Sequence, residues 1–204
     1  MIKEENLLDK SMVNIFKFLN TKKGYNIPLK YKLLNNLPLT DEELTVKGDL
    51  DLSFTNITNL PDNLTINGTL DLTNTKISKL PKNLRTYTLL MDNTNIEEIH
   101  DTVLVVQTLS ADKTPLKKIS DNFRFPKTTT DISNTNITSL PKNIITKRLY
   151  IENTQITEIP ENLNVKDLFY LDKTPLISKY KTLNNLKKEI IKKGGIPPIR
   201  TYGF

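Results

Sequence analysis

A threonine recurs at Thr55, Thr75, Thr94, Thr114, Thr135, Thr154 and Thr174, in steps of 20, 19, 20, 21, 19 and 20 residues. Its surroundings recur with it. Three positions before each threonine stand Leu52, Leu72, Met91, Ala111, Ile132, Ile151 and Leu171. Five before stand Leu50, Leu70, Leu89, Leu109, the polar Thr130, Leu149 and Phe169. Two after stand Ile57, Ile77, Ile96, Leu116, Ile137, Ile156 and Leu176. Self-similarity at this period means one small unit repeated, which cannot bury its apolar side alone and does so by stacking on its neighbours. The composition agrees. Only 37% of residues are hydrophobic and 7% aromatic, with no Trp, so large side chains do not organise the core of these 204 residues.

Within each unit the apolar residues five and three before the threonine alternate with others, which is the period of a short strand. Leu60-Pro61, Leu80-Pro81, Leu140-Pro141 and Ile159-Pro160 come later in the unit, where proline fixes the backbone and keeps the coil from becoming a helix. A further apolar position closes each unit: Leu64, Leu84, Val103, Phe123, Ile144, Leu163 and Leu183. One strand per coil predicts a parallel sheet with strands roughly 4.8 Å apart.

Residues 50–69, Leu-Asp-Leu-Ser-Phe-Thr-Asn-Ile-Thr-Asn-Leu-Pro-Asp-Asn-Leu-Thr-Ile-Asn-Gly-Thr, fit a known unit throughout. Over about residues 44–183 the chain resembles the short bacterial and phage type of the leucine-rich-repeat superfamily. The resemblance implies an α/β solenoid, a right-handed coil of about seven turns, with a short-stranded parallel sheet on its concave face. One position departs from the family pattern. Where the family carries an asparagine whose amide bonds neighbouring coils in a ladder, this chain carries the threonine every time. A hydroxyl has a single donor, and the expectation is a buried, structural threonine ladder. The resemblance also implies recognition in the cytoplasm. If the chain is phage-encoded, it implies an inhibitor or modulator of a host protein, such as a defence component, in the host cytoplasm.

The ends differ from the repeats. Residues 4–19 place Leu7, Leu8, Met12, Ile15, Phe16 and Leu19 at helical spacing. Residues 21–47 read as irregular, closing on Leu44-Thr45-Val46 as the tail half of an incomplete coil. Ser178 to Lys193 reads as a second helix, capped by Ser178, with Leu183, Leu186, Ile190 and Ile191 inward and Gly194-Gly195 as its stop. The expected organisation is a helical cap and partial coil over 1–47, a solenoid over 48–177, a capping helix over 178–195 and an extended tail over 196–204. Caps at both ends cover the exposed faces of terminal coils. The tail, with Arg200, Tyr202 and Phe204, either folds back on the cap or serves as a docking peptide.

Several chemistries are excluded or disfavoured. There is no Cys, so disulfides, thiolate metal sites and cysteine nucleophiles are ruled out. A single His, His100, cannot build a zinc constellation or a triad. The six Gly form no phosphate loop, and no window of 18 apolar residues suggests a membrane span. The acidic start, Glu4-Glu5, is unlike a secretion signal. No catalytic residue, metal or cofactor is expected.

Alternation sorts the remaining side chains. If the positions five and three before the threonine point inward, those four and two before it line the concave face. The first of these columns reads Asp51, Asp71, Leu90, Ser110, Asp131, Tyr150, Tyr170; the second reads Ser53, Thr73, Asp92, Asp112, Ser133, Glu152, Asp172. Seven of these fourteen are acidic and none is basic, in a chain of net charge +6. Two carboxylates 5 Å apart in water repel by roughly 0.8 kcal/mol, which neutral residues would avoid. The expectation is therefore a non-catalytic module that binds a basic protein surface through Asp51, Asp71, Asp92, Asp112, Asp131, Tyr150, Glu152, Tyr170 and Asp172. The alternative is a nucleic-acid-binding accessory protein using the convex side and the last helix, where Lys76, Lys79, Lys82, Arg85, Lys117, Lys118, Lys142, Lys147, Lys187, Lys188, Lys192 and Lys193 collect. The scarcity of Arg and of interleaved aromatics speaks against it.

Overall fold

The computed structural model describes residues 27–204, and the helix expected over residues 4–19 lies outside them. The chain divides into two compact units, Met1–Glu43 and Leu44–Phe204. In the first, helix α1 (Leu29–Leu34) stands where the sequence reads as irregular. Its buried Lys32 donates to Glu43 Oε1 at 2.6 Å.

The second unit is a parallel-sheet β-solenoid of about six turns, because seven threonines bound six intervals. Its strands are β1 (Thr45–Val46), β2 (Leu50–Asp51), β3 (Thr65–Asp71), β4 (Arg85–Leu90), β5 (Glu98–Ile99), β6 (Leu104–Ser110), β7 (Lys118–Ile119), β8 (Thr129–Asp131), β9 (Ile145–Tyr150) and β10 (Asn164–Tyr170). After β10 come helices α2 (Pro175–Tyr180) and α3 (Leu183–Lys192) and a last strand, β11 (Arg200–Tyr202). The nine-stranded sheet runs β1-β3-β4-β6-β8-β9-β10-β11, with β2 also on β3. Equivalent residues sit side by side in parallel register: Leu70 beside Leu89, Leu89 beside Leu109, Leu149 beside Phe169. The inward columns are fully buried, Leu52, Leu72, Met91, Ala111, Ile132, Ile151 and Leu171 among them.

The strands are longer than the Leu-x-Leu pieces suggest, and each long one is two short runs joined by a bulge. In β3 the inward residues Ile66 and Leu70 are four apart, whereas in β4 Thr86 and Leu89 are three apart, and the register shifts between them. The same shift separates β9 from β10. A bulge accommodates one extra residue locally, so the 19- and 20-residue coils stay in phase. Both 19-residue coils put a buried threonine at this place. Thr86 Oγ1 donates to Gly68 O at 2.8 Å, and Thr146 Oγ1 to Arg148 O at 3.3 Å.

The repeating threonine itself is buried and structural in every coil but the first, where Thr55 is half-buried, but it does not form a ladder. Each hydroxyl donates to the carbonyl three residues back in its own coil, from Thr55 to Leu52 O at 2.6 Å through Thr174 to Leu171 O at 2.7 Å. The residue just before each threonine has positive φ: Phe54, Asn74, Asn93, Lys113, Asn134, Asn153 and Lys173. That left-handed residue turns the chain so the threonine meets its own backbone. Amide ladders do exist, but at the corners. Asn83 Nδ2 donates to Asn63 Oδ1 at 2.8 Å, Asn162 to Asn143 at 2.7 Å, and Asn153 to Asn134 at 2.9 Å. All six have positive φ, where asparagine is tolerated better than other non-glycine residues.

Proline placement decides where a second sheet forms. At the position of Pro61, Pro81, Pro141 and Pro160, two coils carry His100 and Ser120. Ser120 N donates to Ile99 O at 2.8 Å, and β5 and β7 pair as a separate two-stranded sheet. A proline nitrogen could not donate that bond.

Beyond the last coil, the single helix expected from Ser178 is two helices, broken at Lys181 with φ 61°. Ser178 lies inside α2, and the cap is Thr182, whose hydroxyl accepts from Asn185 N. Leu186 and Ile190 are buried as expected, but Ile191 is 61% exposed. The tail returns to the sheet: β11 pairs with β10 in parallel, placing Arg200 beside Leu168, Thr201 beside Phe169 and Tyr202 beside Tyr170. Among the described residues no helix is long and apolar enough to cross a membrane.

Candidate functional site

The open face of the sheet carries the two expected columns. Asp71, Asp92, Asp112, Asp131, Tyr150, Glu152, Tyr170 and Asp172 are half-buried on it, and Asp51 at its first strand is exposed. Several of these acids also hold the backbone, which sequence reasoning missed. Asp51, Asp71 and Asp131 each accept, at 2.9 Å, the backbone N–H two residues on, from Ser53, Thr73 and Ser133. This is the local turn that aspartate makes readily. Asp92 accepts from Ser110 Oγ at 2.7 Å and Asp112 N at 2.8 Å, and Asp112 accepts from Asn134 Nδ2 at 2.7 Å.

These bonds tie Asp92 to Asp112 just past β4 and β6, and Asp131 at the end of β8 follows in the next coil. Burial pushes the Asp131 carboxyl up from its ordinary value; its bonds from Ser133 oppose this, and the charges of Asp112 and Asp92 add to it. Among the described residues only Lys113 pairs with the group, 3.4 Å from Asp112 Oδ2 and itself exposed. Among the described residues no group of three or more His, Asp or Glu is gathered as a metal ion would need.

The far end of the face is aromatic. Tyr150, Tyr170 and Tyr202 form a column with centroids 6.1 and 5.8 Å apart and rings inclined by 30° and 28°. Tyr202 comes from the tail, so β11 supplies the face with a further row. The signal was present in the sequence: Arg148-Leu149-Tyr150, Leu168-Phe169-Tyr170 and Arg200-Thr201-Tyr202 are one pattern, interrupted by two helices. A third column, six before the threonine, shares the face because the strands are longer than expected. From β3 onward it reads Thr69, Thr88, Thr108, Thr129, Arg148 and Leu168, with Arg200 next in register. Arg200 donates to Asp167 Oδ1 through Nη2 at 2.8 Å and Nε at 3.2 Å, and Arg148 Nε lies 3.7 Å from the other oxygen. Arg200 beside it, with Arg148 and Lys147 in support, holds the Asp167 carboxyl below the usual range. The first-named tail residue thus belongs to the sheet face, while Phe204 ends the chain half-exposed.

Part of the basic charge elsewhere is paired: Lys117 with Glu97, Lys118 with Glu98, Lys142 with Glu161, Lys179 with Glu158, and Lys192 and Lys193 with Glu189. His100 fills a turn, one ring nitrogen 3.1 Å from Leu80 O and the other 2.6 Å from Thr102 Oγ1. Set against known proteins, the chain matches no family model, no curated protein and no solved structure.

Proposed function

We propose that this chain is a non-catalytic protein-binding module whose open sheet face receives a basic protein surface, and that its coils are leucine-rich repeats closed by helices at the ends. The observation that carries the reading is the Asp92–Asp112–Asp131 cluster. The three carboxylates stand in successive coils, an exposed lysine reaches Asp112 alone among the described residues, and Asp131 is partly desolvated and feels the charges of the other two. A cation brought by a partner would relieve that repulsion, and complementary charge is how interfaces gain specificity and encounter rate. The aromatic end adds side chains of the kind that anchor interfaces. Polyphosphate would meet the same carboxylates unfavourably, and on the outer side Lys117, Lys118, Lys142, Lys192 and Lys193 are paired with glutamates.

The test uses asparagine rather than lysine, because these carboxylates accept backbone and side-chain hydrogen bonds that an amide oxygen can still accept. A D92N/D112N/D131N variant should stay folded and melt at or somewhat above the wild-type temperature, since the repulsion and the Asp131 burial penalty are removed. It should lose capture, by a tagged and cross-linked bait, of the basic protein recovered with the wild type from its native cell. Equal capture by both baits would refute the acidic-face assignment.

A further inference from the structure

We propose that the C-terminal end of the same face is a second subsite, completed by the tail strand β11, which takes an acidic extended segment of the protein partner. This rests on the protein-binding reading above and adds a polarity to it. The three columns change character along the stack. From β3 through β8 the column six before the threonine is uncharged, Thr69, Thr88, Thr108 and Thr129, and of the two columns beside it one brings Asp71 and Asp131 and the other Asp92 and Asp112. From β9 onward that column brings Arg148 and Arg200 on either side of Leu168, and the middle column, Asp71, Leu90, Ser110 and Asp131 through β8, becomes Tyr150, Tyr170 and Tyr202.

At this end two guanidiniums meet one carboxylate. Arg200 spends its Nε and Nη2 on Asp167, but Arg148 only approaches it, at 3.7 Å, and makes no side-chain hydrogen bond among the described residues. Both arginine side chains are partly exposed, and the exposed Lys147 acts on the same Asp167 carboxylate. Donors of an arginine fork are therefore left over, in the geometry that accepts a second carboxylate in a bidentate manner. The tyrosines beside them stack on one another, so the outermost ring, Tyr202, keeps one face uncovered and is 51% exposed. That ring lies on the edge strand of the sheet. An extended acidic segment fits this end, since its side chains reach the arginines while its apolar parts lie on the tyrosine column. A long polyanion fits poorly, because its continuation along the face runs onto Asp131 and Asp112. The partner is thus one that presents a basic patch and an acidic segment together, and the face sets its direction.

The experiment titrates the full chain with three probes, followed by NMR shifts of the backbone amides: an all-lysine peptide, a peptide of equal length with a lysine block followed by a glutamate-tyrosine block, and oligothymidylate. The mixed peptide should bind about tenfold more tightly than the all-lysine one, the worth of one charge-assisted pair, and shift amides of β9, β10 and β11. R148Q should remove that advantage while leaving all-lysine binding unchanged, with β11 amides still protected to show the tail in place. Equal affinity of the two peptides overturns the subsite and leaves the acidic-face reading standing. Failure of the all-lysine peptide to bind at all, with the mixed peptide binding in an Arg148-dependent way, supports the subsite and removes the reading it was added to. Oligothymidylate binding more tightly than both, and weakened by R148Q, overturns the proposal by making this end a nucleic-acid site.

Discussion

Two buried threonines that differ only in what their hydroxyls meet show how far residue identity decides energetics here. Thr94 donates to Met91 O at 2.7 Å inside the stack. Thr130 sits at a position where other coils carry leucine or phenylalanine, fully buried, and its hydroxyl finds no partner. Threonine to valine keeps the shape and deletes the hydroxyl. T94V should therefore destabilise by about 1–2 kcal/mol, since it orphans a buried carbonyl, whereas T130V should stabilise by about 1 kcal/mol by removing an unsatisfied group. Denaturant melts of both variants check the opposite signs. The Asp131 carboxyl gives a pH signature of its own. Its folded-state pKa is raised, so its ionised form weakens the fold. That penalty is absent below the ordinary carboxyl value of 3.8 and grows as pH rises through the raised one. The stability of D131N minus that of the wild type should accordingly increase with pH over this window; a pH-independent difference would contradict the assigned shift. At this scale the sequence told which threonines are buried but not where their hydroxyls point. The missing information was the left-handed residue before each one, which at Phe54, Lys113 and Lys173 is not a residue type that announces a positive φ.

Among elements, the tail is where inference from residues and the folded outcome differ most. Pro197 and Pro198 correctly suggest an extended segment, but extension alone does not say whether a strand pairs. Pairing is decided by β10, which would otherwise be the bare edge of the sheet, and bare edges are costly to leave open. Strand β11 closes that edge with backbone register, the Tyr170–Tyr202 stack and the Arg200–Asp167 fork. Truncation after Ile199 should lower stability by about 1–3 kcal/mol through the lost hydrogen bonds and tyrosine burial. It should also speed amide exchange in β10 while leaving β4 unaffected, which exchange mass spectrometry would resolve. Helix α3 was legible from its apolar spacing, yet the break at Lys181 was not, because nothing in Ser-Lys-Tyr-Lys-Thr disfavours a continuous helix strongly. The bulges were hidden for a related reason. A 19-residue interval records that a coil is one residue short, but only the pairing of Thr86 with Ile66 and of Leu89 with Leu70 shows where the difference is absorbed.

For the solenoid as a whole, periodicity was the most informative quantity, since it assigns inside and outside to whole columns at once. It placed Asp92, Asp112 and Asp131 on one face correctly, while the arginines of that face went unnoticed because the strands are longer than the repeat motif. The same periodicity carries a thermodynamic consequence. In the main sheet, strands pair only with their neighbours in the stack, and stability is then close to a sum of coil and nearest-neighbour terms. A cavity in one coil should act as a weak link rather than a uniform loss. Leu109 is fully buried in β6, between Leu89 and Thr130, and L109A removes packing worth about 2–5 kcal/mol. The orphan hydroxyl of Thr130 lies next to it, so this junction already carries an unsatisfied buried group. L109A should split unfolding into two transitions, with β3–β4 and β9–β10 losing amide protection at different denaturant concentrations. A single transition displaced as a block, with protection lost evenly along the stack, would mean that the array behaves as one cooperative core and that its coils are not energetically separable.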